Sequence, residues 1–184
     1  MTIIKQDDLI DSIADALQYI SYFHPLDFIR AMDQAYQREE NPAARDAIAQ
    51  ILINSRMCAL GHRPICQDTG IVTVFLRVGM QVQWDADMSV TDMCNEGIRR
   101  AYQNPDNVLR ASILADPDGK RANTKDNTPA VTHLQIVPGD TVEVEVNGQL
   151  VNRATNCSVT EGAIALQSEG TPIEYRNIRL KYLK

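Results

Sequence analysis

Three consecutive residues, Cys66, Gln67 and Asp68, place a thiol, an amide and a carboxylate side by side within RPICQDTGI. Thiolates are the usual ligands of iron–sulfur clusters. An iron with an open position is a Lewis acid able to hold a carboxylate and a hydroxyl. A neighbouring aspartate can then transfer a proton while an amide orients the substrate. The same residues have a plainer use: Asp-Thr-Gly is good turn chemistry, and an isolated cysteine is usually a small buried apolar residue. Arg110, which follows Asn-Val-Leu, adds a guanidinium able to grip a carboxylate with two parallel hydrogen bonds; most arginines are instead solvated or surface-paired. The segment NTKDNTPA, residues 123–130, offers side-chain and backbone donors, or is simply a polar loop.

The remaining chemistry-bearing residues are scattered. His24 sits at a helix break, His62 lies beside the cysteine loop, and His133 falls in a strand-like run. Cys58, Cys66, Cys94 and Cys157 have no zinc-type spacing. Cys58 and Cys94 read as core residues of helices, so a metal site built on Cys66 must draw ligands from elsewhere. Trp84 and the tyrosines form no stacking platform for bases.

The elements that would position these groups follow from periodicity. Leu9, Ile10, Ile13, Ala16, Leu17 and Ile20 recur at helical spacing over residues 6–21, with acids on the opposite face. His24-Pro25 ends that helix and a second runs from Leu26 to Glu39. Asn41 is the expected N-cap of a third helix, with Pro42 as its first residue and Gly61 as its left-handed terminator. The cysteine loop follows at once and leads into a short β-branched strand over residues 71–78. Ser89 caps a further helix to Tyr102, and Asn107–Leu114 is expected to form another short one. DPDGKRANTKDNTPA is too long a polar connection to be idle in a compact domain.

From Ala130 onward the period is two. VTHLQIV, TVEVEV, GQLVN, GAIALQ and IEYRNIRLKYL read as strands, and Asn147-Gly148 suits a type I′ hairpin turn. The layout is α+β: a helix-rich N-terminal two-thirds followed by a small, mostly antiparallel sheet.

The totals fit this. A chain of 184 residues, 44% hydrophobic and 23% charged, has room for one domain with a sizeable core, or one domain and an appendage. A net charge of −6 disfavours nucleic acid and anionic membranes as main partners, while leaving room for a local basic pocket that takes a small acid. No stretch approaches a membrane span, and MTIIKQDDLIDSIADAL carries acids where a secretory leader would be apolar. The expected setting is the cytosol, with reduced cysteines.

Three motifs, ILINSRMCALGHRPICQDTGIVTVF, NVLRASILADP and NTKDNTPAVTH, carry a resemblance over residues 3–144, about three-quarters of the chain. The region resembles the N-terminal part of class I, iron–sulfur-dependent fumarate hydratases, and is similar to the α subunits of two-subunit fumarate and tartrate dehydratases. The resemblance implies reversible hydration of fumarate to L-malate on a [4Fe–4S] cluster held by three cysteines. It implies Cys66 as one ligand, Gln67 and Asp68 as substrate contacts with Asp68 a proton donor, and Arg110 as the binder of a substrate carboxylate.

After TVEVEV the family would continue with a glycine-rich segment and, further on, two more cluster cysteines, none of which is present. Residues 147–184 instead resemble the C-terminal strands of the 3-keto-disaccharide hydrolase family. That second resemblance implies a sugar-handling β module as an alternative to the hydro-lyase, beside the further alternative of an inactive scaffold. The expected organisation is a hydratase-like region over residues 1–146, with a β-strand tail over 147–184 packed on it. The hydratase site is expected to be incomplete on this chain, which would act on a small dicarboxylic acid as a homo-oligomer, with a complementary subunit, or as part of a longer parent chain.

Overall fold

The computed structural model describes residues 2–67, 70–146 and 149–154. In chain order the elements are β1 (Ile3–Lys5), α1 (Gln6–Tyr22), α2 (Leu26–Arg38), α3 (Pro42–Gly61), β2 (Thr73–Gly79), β3 (Gln83–Asp85), α4 (Val90–Tyr102), β4 (Leu114–Ala115), β5 (Ala122–Asn123), β6 (Val131–Val137), β7 (Val142–Val146) and β8 (Gln149–Ala154). The class is α+β.

The principal sheet has the order β6-β2-β7-β8. The pair β2–β6 is parallel, while β2–β7 and β7–β8 are antiparallel. Val146 pairs with Gln149, so two residues separate β7 from β8, as the Asn-Gly signal predicts. The expected strands at GAIALQ and IEYRNIRLKYL lie outside the described residues, as does most of the second resemblance. Two small strand pairs went unread in the sequence: β1–β3, which is parallel, and the β4–β5 hairpin.

The core is the layer between α1, α4 and one face of the sheet. Ile10, Ile13 and Ala16 of α1, Cys94 and Ile98 of α4, Val74 and Leu76 of β2 and Val146 of β7 are all fully buried. Each large aliphatic side chain in this layer contributes roughly 1.5–3 kcal/mol of transfer free energy. Strict alternation along β2 and β7 sends Val74, Leu76, Val78, Val142, Val144 and Val146 inward and leaves Arg77 and Glu143 to pair outside at 2.9 Å. Gly97 explains how the two helices cross so closely. A Cβ there would stand 2.7 Å from the Ile10 carbonyl oxygen and 2.9 Å from Ile13 Cβ.

Coverage of the sheet is uneven. Leu134 and Ile136 of β6 share a face with the buried Leu76 and Val78, yet are 51% and 58% exposed. Helices α2 and α3 project from this core. No residue of α2 is buried, and in α3 only Ser55 and Cys58 are. Helix α3 therefore carries Ile51, Met57 and Leu60 as exposed apolar side chains.

Two local expectations are corrected. The left-handed residue ending α3 is His62 (φ 47°), not Gly61, which remains helical. Stacking of the His62 ring on Tyr22, with centroids 4.6 Å apart, holds it there. The helix expected over Asn107–Leu114 does not form. The N–H groups of Ser112 and Ile113 go to the Asn127 side chain instead of to helical carbonyls, and Asn107 is tied to α1.

Candidate functional site

The cysteine loop starts where α3 ends, and its first half is pinned to two helices. Ile65 N–H donates to the Ser21 carbonyl of α1 at 2.8 Å, and Asn54 Nδ2 of α3 donates to the Ile65 carbonyl at 3.2 Å. Cys58 Sγ contacts the Pro64 carbonyl at 3.6 Å. Beyond these anchors Cys66 and Gln67 are exposed; Asp68 lies outside the described residues.

The loop is held again at its far end. Asn127, fully buried, donates from Nδ2 to the Gly70 carbonyl at 3.0 Å. Its Oδ1 accepts the N–H of Ser112 at 2.7 Å and that of Ile113 at 3.2 Å. Ser112 Oγ also donates to Gly70 O at 3.3 Å. One asparagine side chain thus joins the CQDTG, NVLRASIL and NTKDNTPA segments. Asn127 has φ 59°, a left-handed conformation that asparagine adopts more readily than most residues.

Around this junction the polar connection is ordered by its own side chains. Asn123 Nδ2 donates to the Ala111 carbonyl at 2.7 Å, and Thr124 N–H to Ile113 O at 2.9 Å. On the other side, Arg99 of α4 donates to Asp126 Oδ2 at 3.1 Å while Asp126 Oδ1 accepts the Thr128 N–H and hydroxyl. Burial works to raise the Asp126 pKa, but the Thr128 donors and the Arg99 guanidinium outweigh it and hold the carboxyl below its ordinary value.

Arg110 is exposed in the irregular segment two residues before Ser112. Behind it the buried Leu109 faces the core, and Asn107 is locked to α1. Gln18 Nε2 donates to the Ala101 carbonyl at 2.5 Å and to Asn107 O at 2.9 Å, and Asn107 Nδ2 returns a bond to Gln18 Oε1 at 2.8 Å. Cys66 is four residues from Gly70, so at about 3.5 Å per residue their Cα atoms lie within roughly 14 Å; Arg110 lies within roughly 7 Å of Ser112 by the same bound. The segments bearing Cys66, Gln67 and Arg110 therefore converge on one junction.

The other thiols differ in kind. Cys94 is fully buried, and burial pushes its pKa up to about 11; burial also raises that of Cys58, which contacts Asn54 Oδ1 at 3.6 Å. No group of three His, Cys, Asp or Glu side chains converges among the described residues. Chemically, Cys66 suits one ligand position of a thiolate-held cluster, and the described residues do not complete such a set. His24 is drawn off to a structural bond with Ser55 Oγ at 3.0 Å, and His133 stacks on Phe75 of the neighbouring strand. The sequence reading missed Asn127, Asn123, Arg99, Gln18 and Asn107 as organisers. The only signal was the density of Asn and Asp in NTKDNTPA, residue types that bond local backbone.

Comparison with known proteins adds an independent line. A family model described as fumarate hydratase (Fumerase) matches residues 10–149. The chain is similar to a Methanocaldococcus jannaschii protein named "Putative L(+)-tartrate dehydratase subunit alpha", with 25% identity over 93 residues, 50% of this chain and 33% of that protein. The chain thus spans about a third of the length of the curated relative it matches.

Proposed function

Because the chain belongs to the fumarate hydratase (Fumerase) family, we propose that it carries one part of a hydro-lyase site that adds water reversibly to fumarate, giving L-malate. The observation that supports this is the junction at Asn127, where the three family-like segments meet. In this reading Arg110 grips one carboxylate of the diacid through its planar fork, Gln67 orients the substrate, and Asp68 moves the proton at the carbon next to a carboxylate. Cys66 would be one thiolate ligand of a [4Fe–4S] cluster, which when bound supplies Lewis-acid polarisation of the substrate oxygens. The other ligands would come from polypeptide outside the described residues. A reducing, cytosolic setting is what an exposed ligand thiol requires.

A ligand set that the described residues do not complete, and a match over about a third of the curated relative, support a second element of the proposal. Activity requires a complementary polypeptide, a longer parent chain, or further copies of this chain to finish the site. The hydratase-like region is proposed to extend over residues 1–146, with 147–184 as an appended tail.

The test is protection of Cys66 from alkylation, followed by peptide mass spectrometry. Fumarate and tartrate should each slow modification of Cys66 in the native chain, and Arg110→Met should abolish that protection. Equal alkylation rates with and without either acid would sink the substrate assignment. Turnover of fumarate by the isolated, reconstituted chain at an ordinary enzymatic rate, about 10 per second, would sink the claim of incompleteness.

A further inference from the structure

We infer that Asn127 is the positioning residue of this site, tying Gly70, at the far end of the Cys66 loop, to Ser112 and Ile113, just after Arg110. The inference rests on the proposed function only for what the two segments hold between them. Its physical basis is the arrangement of one buried amide with both functional ends engaged. The Nδ2 end points at Gly70 O, four residues after Cys66, and the Oδ1 end receives two consecutive N–H groups, of Ser112 and Ile113, just after Arg110.

The two segments are 42 residues apart at their Ser112–Gly70 contact. That contact, made by the Ser112 hydroxyl at 3.3 Å, links them directly but is longer than the Asn127 bonds on either side of it. An apolar residue at 127 would leave the N–H groups of Ser112 and Ile113 and the Gly70 carbonyl without their side-chain partner. Asn127 is held in turn, since Asp126 beside it is fixed to Arg99 and to Thr128. Rigid support from α4 therefore reaches the junction through the neighbouring residue.

The chemistry of the side chain makes a split test possible. Aspartate tolerates the same left-handed backbone and keeps an acceptor for Ser112 and Ile113, but it has no donor for Gly70 O. In N127D, amide exchange of Ser112 and Ile113 should stay within about twofold of the parent, while the peptide spanning residues 65–72 exchanges about tenfold faster, the size expected for losing one hydrogen bond. In N127A both segments should exchange faster. The fumarate concentration giving half-protection of Cys66 should rise about tenfold in N127D, at temperatures where it remains folded. Unchanged exchange of 65–72 in both variants would overturn the inference.

Should neither variant fold, the parent protein decides the matter in sub-denaturing urea. Residues 65–72 and 112–113 should open with one common urea dependence, and separate dependences would overturn the inference. Absence of fumarate protection in the parent, with the exchange pattern as expected, would refute the substrate reading and leave the positioning role standing.

Discussion

Arg99 on helix α4 donates from Nε to Asp126 Oδ2 at 3.1 Å, joining a helix of the core to the loop that organises the candidate site. Arg99 is also paired with Glu96 one turn earlier, which holds the guanidinium in place. The pair is one of the routes by which the α1–α4 layer fixes the position of residues 123–130.

This pair gives a pH dependence with a definite sign. The folded pKa of Asp126 lies below its ordinary value because the Thr128 donors and Arg99 outweigh burial. A carboxyl with a depressed folded pKa contributes stability that is fully present above the unfolded pKa, about 3.9, and is lost as pH falls through the folded value. D126N should therefore melt below the parent at neutral pH, and the gap should narrow once pH drops under about 4. A gap that widens on acidification would contradict the assignment. The comparison requires thermal melts of both proteins across that range.

Thiol chemistry should sort the described cysteines by burial. Cys66 is exposed, Cys58 is buried with its pKa raised, and Cys94 is buried with its pKa pushed up to about 11. A small alkylating reagent at neutral pH should modify Cys66 first, with Cys58 and Cys94 reacting only as the protein opens. Peptide mapping over time gives the order, and early labelling of Cys94 would refute the packing described for α4.

Gly97→Ala tests the helix crossing, because two effects oppose one another. Alanine gains about 1 kcal/mol in helix propensity over glycine. Its Cβ, however, would press against the Ile10 carbonyl at 2.7 Å and Ile13 Cβ at 2.9 Å, and overpacking of this kind costs about 1–3 kcal/mol. Backbone cannot yield as a flexible side chain does, so the net effect should be destabilising, by up to roughly 2 kcal/mol. Urea denaturation of the two proteins provides the comparison, and a stabilised variant would mean the helices cross less tightly.

Gln18→Leu should act both on stability and on the Arg110 segment. Gln18 and Asn107 exchange bonds in both directions while buried. Removing one partner leaves the other's polar groups in an apolar setting, a cost of about 1–3 kcal/mol. Residues 103–111 should also lose amide protection more than α4 does. Uniform loss across the core, without that local excess, would show that Gln18 only fills space.

Much of the framework was legible in the chain. The spacing of Leu9, Ile10, Ile13, Leu17 and Ile20 marks α1, and burial of all five follows. Asn41 and Ser89 were readable as caps because an N-cap is a local hydrogen bond between residues two or three apart, and both bonds are present. The stretch Asn107–Leu114 was misread as a helix for the opposite reason. Its backbone donors are taken by Asn127, and Asn107 by Gln18, residues 14 to 89 positions away. No local pattern encodes such partners.

By itself, then, the sequence determined the α+β class, the principal elements, and the motif segments that belong to the fumarate hydratase family. These depend on periodicity, capping and residue type, all of them short-range. Tertiary structure alone decided which segments meet. It brought Gly70, Ser112 and Asn127 together, kept Cys66 and Arg110 at the surface, and buried Cys58 and Cys94. Contacts between distant parts of a chain depend on how the helices and sheet pack, and that geometry exists only once the core has closed around Ile10, Ile13 and Leu76.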